Sequence, residues 1–334
     1  MPRQYDVYGL GHALVDVQYR VAADFLSRSG VEKGVMTLVD ETRRRALLQA
    51  LDSPPVGSSS GGSAANTLIG LANCGGRAYF ACRLGRDEWG DFYQQDLEQA
   101  GVRSYPGGRA DGPTGQCLVF ITPDADRTMN THLGVSSSLA PEQVEDAVAA
   151  DSQYLYLEGY LVTSDQGFAA CIRAQEVAQH HHASVALTLS DPHLVHAFRP
   201  RLERLIGRGV DLLFCNEEEA RAYSGCTDRP SASRSLARLV PALCITCGPE
   251  GALVCQGRQT ASIPGVRAQA LDTTGAGDMF AGGVLYGLTH GHGLAESAWL
   301  GNCAAAEVVA RFGPRLGRSL RDEVPAILAR YRRP

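Results

Sequence analysis

The stretch LDTTGAGDMFAGGVLYGL, Leu271 to Leu288, decides how the rest of the chain is read. Hydroxyl residues lead into Gly275-Ala276-Gly277, Asp278 follows, and the chain then turns apolar at helical spacing. Glycines admit backbone conformations and close approaches that a Cβ blocks, and the first amides of the following helix point at one spot. Such a turn holds an anion, and the helix dipole assists it. A carboxylate suits that address only if it faces the group attacking the anion. An aspartate within reach of an alcohol accepts its proton as the oxygen attacks, while neighbouring amides stabilise charge on the transferring phosphoryl group. On this reading Asp278 is the general base, and Gly275, Ala276 and Gly277 form the anion hole. The alternative is a helix cap, a common use of aspartate.

Other phosphate-binding designs fail on the residues. A P-loop needs a lysine after its glycines, and the only lysine, Lys33, lies in VEKGV. Gly9 and Gly11 in YGLGHAL follow an expected strand, but Leu14 stands where a dinucleotide fingerprint needs its third glycine.

The 334 residues are 44% hydrophobic and 20% charged, which permits a large core. A net charge of −5 argues against a nucleic-acid partner. No stretch approaches the roughly 18 apolar residues of a membrane span. The chain opens into a strand with no basic and then apolar leader, so a cytoplasmic location is expected. Cys244 and Cys247 have redox or zinc spacing, but no second pair completes a zinc site, and they read as core thiols.

From about Gln153 onward, short apolar runs alternate with helical ones: YLYLEGY, GFAACIRAQEVAQH, SVALTLS, LVHAFRPRLERLIGRG, VDLLFC, NEEEARAYSG, ALCITCG. Strands separated by helices imply βαβ crossovers and a parallel sheet covered on both faces. The N-terminal third instead carries the alternating LVDVQYRV and GVMTLVD, and GQCLVFITPDADRTMNTHLG reads as a hairpin turning at PDAD. SPPVGSSSGGS is the nearest thing to a linker. The expected architecture is one α/β domain over 1–334, with a small β-rich flap built from about 12–40 and 105–135. A flap made of separate segments suggests a lid over a site.

SGGSAANTLIGLANCGGRAYFACRLGRDEWGDFYQQDLEQAGV, Ser60 to Val102, supplies a Gly-Gly turn, an asparagine one helical turn in, and a strand ending in LGRDEWG. With LDTTGAGDMFAGG, these segments resemble the two signature regions of the ribokinase-like (PfkB) family of carbohydrate and nucleoside kinases. Among its members, GLGHALVDVQYRV, TPDADRTMNTHLG, YLEGYL and ALTLSDP are most similar to the bacterial adenosine kinase type. The resemblance implies a ribokinase-like three-layer sandwich with a mainly parallel central sheet and a small β-sheet lid. It implies that Asp278 deprotonates the acceptor and that Asp16, Gly62 and Asn66 hold the vicinal hydroxyls of a ribose. Asn216 and Glu219 match an Asn-x-x-Glu element acting on magnesium and phosphate through water. Thr246 and Gly248 match a turn at the nucleotide, Asn302 borders the ATP base, and Arg127 on the lid approaches the transferred phosphate. Thr188 stands where many relatives carry asparagine. Leu14, Met36, Met129, Leu133 and Tyr160 correspond to a nucleoside base pocket, and their apolar character favours a purine nucleoside over a free sugar.

The expected activity is therefore transfer from ATP, with Mg²⁺, to the 5′-hydroxyl of adenosine. A ribose, fructose or keto-deoxy sugar acid kinase, and a non-catalytic binding protein on the same fold, are the alternatives. A monovalent cation such as K⁺ near Asp272 and a monomer or flap-paired homodimer complete the expectations.

Overall fold

The computed structural model describes residues 3–105, 108–124 and 126–331. Among these, nine strands form one sheet in the order Gln259–Pro264, Gly251–Gln256, Ala242–Thr246, Leu212–Asn216, Ser184–Thr188, Ser152–Glu158, Tyr5–Leu10, Ala78–Ala81, Val102–Ser104. The pairings from Ala242–Thr246 through to Val102–Ser104 are parallel. The first two strands of that order pair antiparallel.

Period-two alternation sends successive side chains to opposite faces, and here both faces are buried. Leu155, Leu157, Val185, Leu187, Leu213 and Ile245 join the core on one side. Tyr156, Ala186, Leu212, Phe214 and Cys244 join the core on the other, with Leu68, Phe280 and Val284 from the helices Ser63–Asn73 and Ala276–Thr289. The result is the three-layer α/β sandwich expected from the alternating pattern.

A second sheet has five strands among the described residues, in the order Met36–Leu38, Arg127–His132, Gly115–Ile121, Leu14–Arg20, Gly57–Gly61. The hairpin read from the sequence is present, with Ile121 opposite Arg127. Ala125 of its turn, and Pro106 and Gly107 within the expected second lid segment, lie outside the described residues.

Two local readings change. GSSSG is an edge strand, not a linker; it pairs antiparallel with Leu14–Gln18, so this sheet reaches past residue 40 to Gly61. Serine and glycine give no strand signal; the backbone of Leu14–Gln18 orders them, with Asp96 holding Ser60. LVHAFRPRLERLIGRG is two helices, Pro192–Ala197 and Arg199–Gly207, because Pro200 supplies no amide to continue the first across Phe198. The helix Arg229–Leu236 was not visible in its serine-rich sequence; Asp228 caps it by accepting from the Ser231 amide at 2.8 Å.

Candidate active site

Parallel strands in open α/β sheets present their ligands at the carboxyl ends. Gly11 and His12, Glu158, Thr188, Asn216 and Thr246 all follow or end such strands. The helix Ala276–Thr289 begins at the same edge, and its cap, Gly275, is left-handed at φ 77°. A Cβ on Gly275 would lie 2.5 Å from the Pro314 carbonyl, so the turn needs glycine twice over. A Cβ on Gly277 would meet no protein atom within 4 Å, so packing gives no reason for that glycine. The Ala276 amide donates back to Thr273 at 3.2 Å. The Ala276 amide is thus spent within the turn, whereas the amides of Gly275, Gly277 and Asp278 have no acceptor among the described residues.

Asp278 is not a cap. Its carboxylate accepts from Ser63 Oγ at 2.6 Å and from Asn66 Nδ2 at 3.1 Å. Burial pushes its carboxyl up to about 7, against those two hydrogen bonds and with the added repulsion of Glu158 and Asp16. A base with that affinity is matched to neutral pH. Asn66 Oδ1 is buried without a partner, as expected of a group that waits for a ligand hydroxyl. Ser63 escaped the sequence reading, although it lies three residues before Asn66 and so on the same helical face.

The start of the helix Ser63–Asn73 is held by Glu158, also missed. Glu158 is buried and accepts from the Ala64 amide at 2.8 Å and the His12 amide at 3.3 Å. The buried His12 imidazole lies 3.4 Å away. Gly62, at φ 100°, brings the turn so close that a Cβ would sit 2.2 Å from the His12 carbonyl. Glu158→Ala leaves two buried amides unpaired, each costing about 1–3 kcal/mol. A clear fall in Tm is expected in thermal denaturation; an unchanged Tm would remove Glu158 from this role.

Across the cleft, Asn216 caps the helix Glu217–Ser224 in a reciprocal capping box with Glu219. The buried Glu219 carboxyl is raised to about 7, mainly by burial, with Asp191 and Asp278 adding repulsion. A buried acid facing other acids suits a divalent cation. No group of three or more His, Cys, Asp and Glu among the described residues could hold one unaided. That donor set fits Mg²⁺, which keeps waters and substrate phosphates as ligands. Gly248 and Asn302 line one cavity of about 640 Å³ with Ala276, Val266, Ala305 and Val309, a largely apolar space beside the anion hole. Asn302 donates to the Ile263 and Pro264 carbonyls, which fixes its helix against that wall. Thr246 ends its strand without lining the cavity. Thr188 ends its strand paired with Glu158, beside the buried Tyr156, whose hydroxyl accepts from Thr67 Oγ1 at 3.3 Å. Cys244 and Cys247 are free and buried, and burial raises both thiols.

The second sheet turns one face to the cleft. Register and alternation put Leu14, Asp16, Gln18, Arg127 and Met129 on it, with Met36 beside Met129 and Leu133 near Leu14 around Gly115. These residues stay partly exposed while Val15, Val17, Leu118 and Phe120 are buried behind them. Asp16 is raised to about 6 by burial, opposed by Arg315 and Arg127. Arg127 is ion-paired with Asp272, whose carboxylate also accepts from the amides of Thr274 and Gly313, each at 2.9 Å. Tyr160 packs on the main core and donates to the Ser190 carbonyl at 3.4 Å.

An α/β sandwich with a buried, raised carboxylate beside a glycine-rich helix start fits a phosphotransferase acting on an alcohol. The pfkB family carbohydrate kinase profile matches residues 39–320, and the chain belongs to that family of ATP-dependent kinases. It is similar to the crystal structure of adenosine kinase from Sinorhizobium meliloti, with 38% identity, a TM-score of 0.89 and coverage of 97% of this chain and 99% of that one. It is also similar to a "probable sugar kinase protein" from Rhizobium etli CFN 42, with 34% identity, a TM-score of 0.90 and coverage of 97% and 98%. Adenosine kinase of Saccharomyces cerevisiae is 28% identical over 329 residues, covering 91% of this chain and 95% of the yeast protein. Among the described residues no helix is long and apolar enough to cross a membrane.

Proposed function

We propose that the protein transfers the γ-phosphoryl group of ATP to the 5′-hydroxyl of adenosine, giving AMP and ADP. The observation that carries the chemistry is Asp278, held by Ser63 and Asn66 beside free helix-start amides. Its carboxylate takes the hydroxyl proton as the oxygen bonds to the γ-phosphorus and the bridging P–O bond to ADP breaks. The proton then leaves to solvent. The amides of Gly275, Gly277 and Asp278 meet the charge that develops on the phosphoryl oxygens. Asp16 and Asn66 would take the vicinal hydroxyls of a ribose, with the Gly62 turn beside them.

Adenosine is favoured because Leu14, Met129 and Met36 give Asp16's own sheet face an apolar, partly exposed extension. A base needs that surface and a free sugar does not. The nearly full-length similarity to adenosine kinases supports the same choice. Bound with ATP, Mg²⁺ would screen the phosphates, with Glu219 and Asn216 as its neighbours through water. The Asp272 carboxylate is engaged by Arg127 and by the amides of Thr274 and Gly313. Arg127 would reach a phosphoryl oxygen only after leaving that ion pair.

The test is ADP release with Mg·ATP and, separately, adenosine, inosine, ribose and fructose. Turnover with adenosine alone is expected. Turnover with a sugar and not adenosine replaces the acceptor and keeps the chemistry. Ligand-induced stabilisation without any turnover would overturn the catalytic reading.

A further inference from the structure

Arg315 lies in the segment after the helix Leu294–Val309, far in sequence from every residue discussed for acceptor binding. Its Nη2 donates to Asp96 Oδ2 at 2.8 Å and to Ser60 Oγ at 2.9 Å. The same Asp96 oxygen accepts from the Ser60 amide and hydroxyl, both at 2.7 Å. Burial works to raise the Asp96 carboxyl, but Arg315 and Ser60 outweigh it and hold it below the usual range. Three segments therefore meet at one carboxylate: the flap strand ending in Gly61, the helix Glu88–Gln99 and the C-terminal segment. Gly61 and Gly62 follow Ser60 directly, and a Cβ on Gly61 would lie 2.5 Å from Asp16 Oδ2.

The neighbours of Arg315 touch the other half of the site. The Gly313 amide donates to Asp272, and Pro314 packs against Gly275. The segment 313–315 thus contacts the motif's first aspartate, the anion hole and the acceptor turn in three consecutive residues. It is a short mechanical link between the two substrates.

We propose that Arg315 is a positioning residue for the acceptor: it braces the Ser60–Gly62 turn through Asp96 and supplies the positive charge that keeps Asp16 able to accept from the acceptor's hydroxyls. This rests on the assignment of Asp16 to acceptor binding made above. Asp16 lies opposite Cys117 on the neighbouring strand and against Gly61, within the fields of Arg315, Arg127 and Asp278 and near Tyr93, which donates to the Gly61 carbonyl. Asp278 repels, and among the described residues Arg315 and Arg127 attract. Arg127 is shared with Asp272, which leaves Arg315 as the first of the two.

The test uses Arg315→Gln, Arg315→Lys and Asp96→Asn, with steady-state kinetics for both substrates across pH 5 to 9. The acceptor is whichever compound the wild type phosphorylates. A wrong acceptor assignment then shows in the wild type, and a wrong role for Arg315 shows only in the variants. For Arg315→Gln, the acceptor KM is expected to rise about tenfold or more, as for a lost charge-assisted interaction, with the ATP KM within about twofold. The lower inflection of its acidic limb should move up by about one pH unit. Arg315→Lys should restore the inflection but not the full acceptor affinity, because the forked geometry is lost. Asp96→Asn should raise the acceptor KM without moving the inflection upward, since the charge beside Asp16 remains. Equal increases in both KM values with an unmoved pH profile would reduce Arg315 to a packing residue. Wild-type kinetics in Arg315→Gln would overturn the proposal entirely.

Discussion

Asp278→Asn is expected to lower kcat by about 10²–10⁴-fold, the range for loss of a positioned general base. Asparagine is nearly isosteric and can still meet Ser63 and Asn66, so both KM values should stay within a few-fold. The same substitution should raise the Tm at pH 8. The Asp278 carboxyl is raised to about 7 by burial, against an ordinary value of 3.8. A group raised in this way contributes its stability below the unfolded value and loses it as pH climbs through the folded one. At pH 8 the wild type therefore carries a desolvated charge that the amide lacks. Below pH 4 the two proteins should melt alike. Kinetics and thermal melts of one pair of proteins read both effects. An active Asp278→Asn protein would remove the base assignment, and a lower Tm at pH 8 would show that the carboxylate is not under strain.

The wild-type pH profile follows from the same groups. On the roles proposed above, Asp278 and Glu219, each raised to about 7, and Asp16, raised to about 6, would act ionised in proton transfer, magnesium binding and hydroxyl recognition. Activity should fall steeply below pH 7, with more than one proton involved below 6.

What the sequence revealed, and what it hid, divides along a physical line. Short apolar runs alternating with amphipathic ones read as buried strands and covering helices, so the parallel sheet was readable from YLYLEGY onward. The glycine turn before the helix Ala276–Thr289 was readable because glycine spacing and a following helix are local properties. GSSSG was unreadable because its order comes from the strand beside it. Glu158 and Arg315 were hidden for a related reason. Their partners are 94 and 219 residues distant, and no local pattern distinguishes a glutamate ending a strand or an arginine in a loop from surface charges. Ala276 was placed in the anion hole by motif, but its amide is spent on closing the turn. The flap face lies between these cases. Alternation put Leu14 and Asp16 on one side, whereas joining them to Met129 required the register across three strands.

Gly275→Ala is the second change expected to act strongly, and Gly277→Ala is its control. Alanine at 275 must adopt a left-handed conformation, costing roughly 1–2 kcal/mol. Its Cβ would also stand 2.5 Å from the Pro314 carbonyl, a backbone atom that cannot rotate away. Either the helix start or the segment 313–315 has to shift. A shifted helix start misaims the amides, and loss of one oxyanion donor typically costs about 10²–10³ in kcat. A shifted 313–315 segment also moves Arg315, so the acceptor KM should rise in the same variant. Alanine at 277 meets open space, so its Tm should match the wild type. Its methyl group would nevertheless enter the room where the phosphoryl group belongs, lowering kcat/KM for ATP. The pair separates two roles for glycine in one turn, conformation at 275 and clearance at 277. Single-turnover rates and melting curves for both variants decide it. Loss of Tm and rate in the first, and of rate alone in the second, places the phosphate at this helix start. Full activity in Gly277→Ala would move it elsewhere.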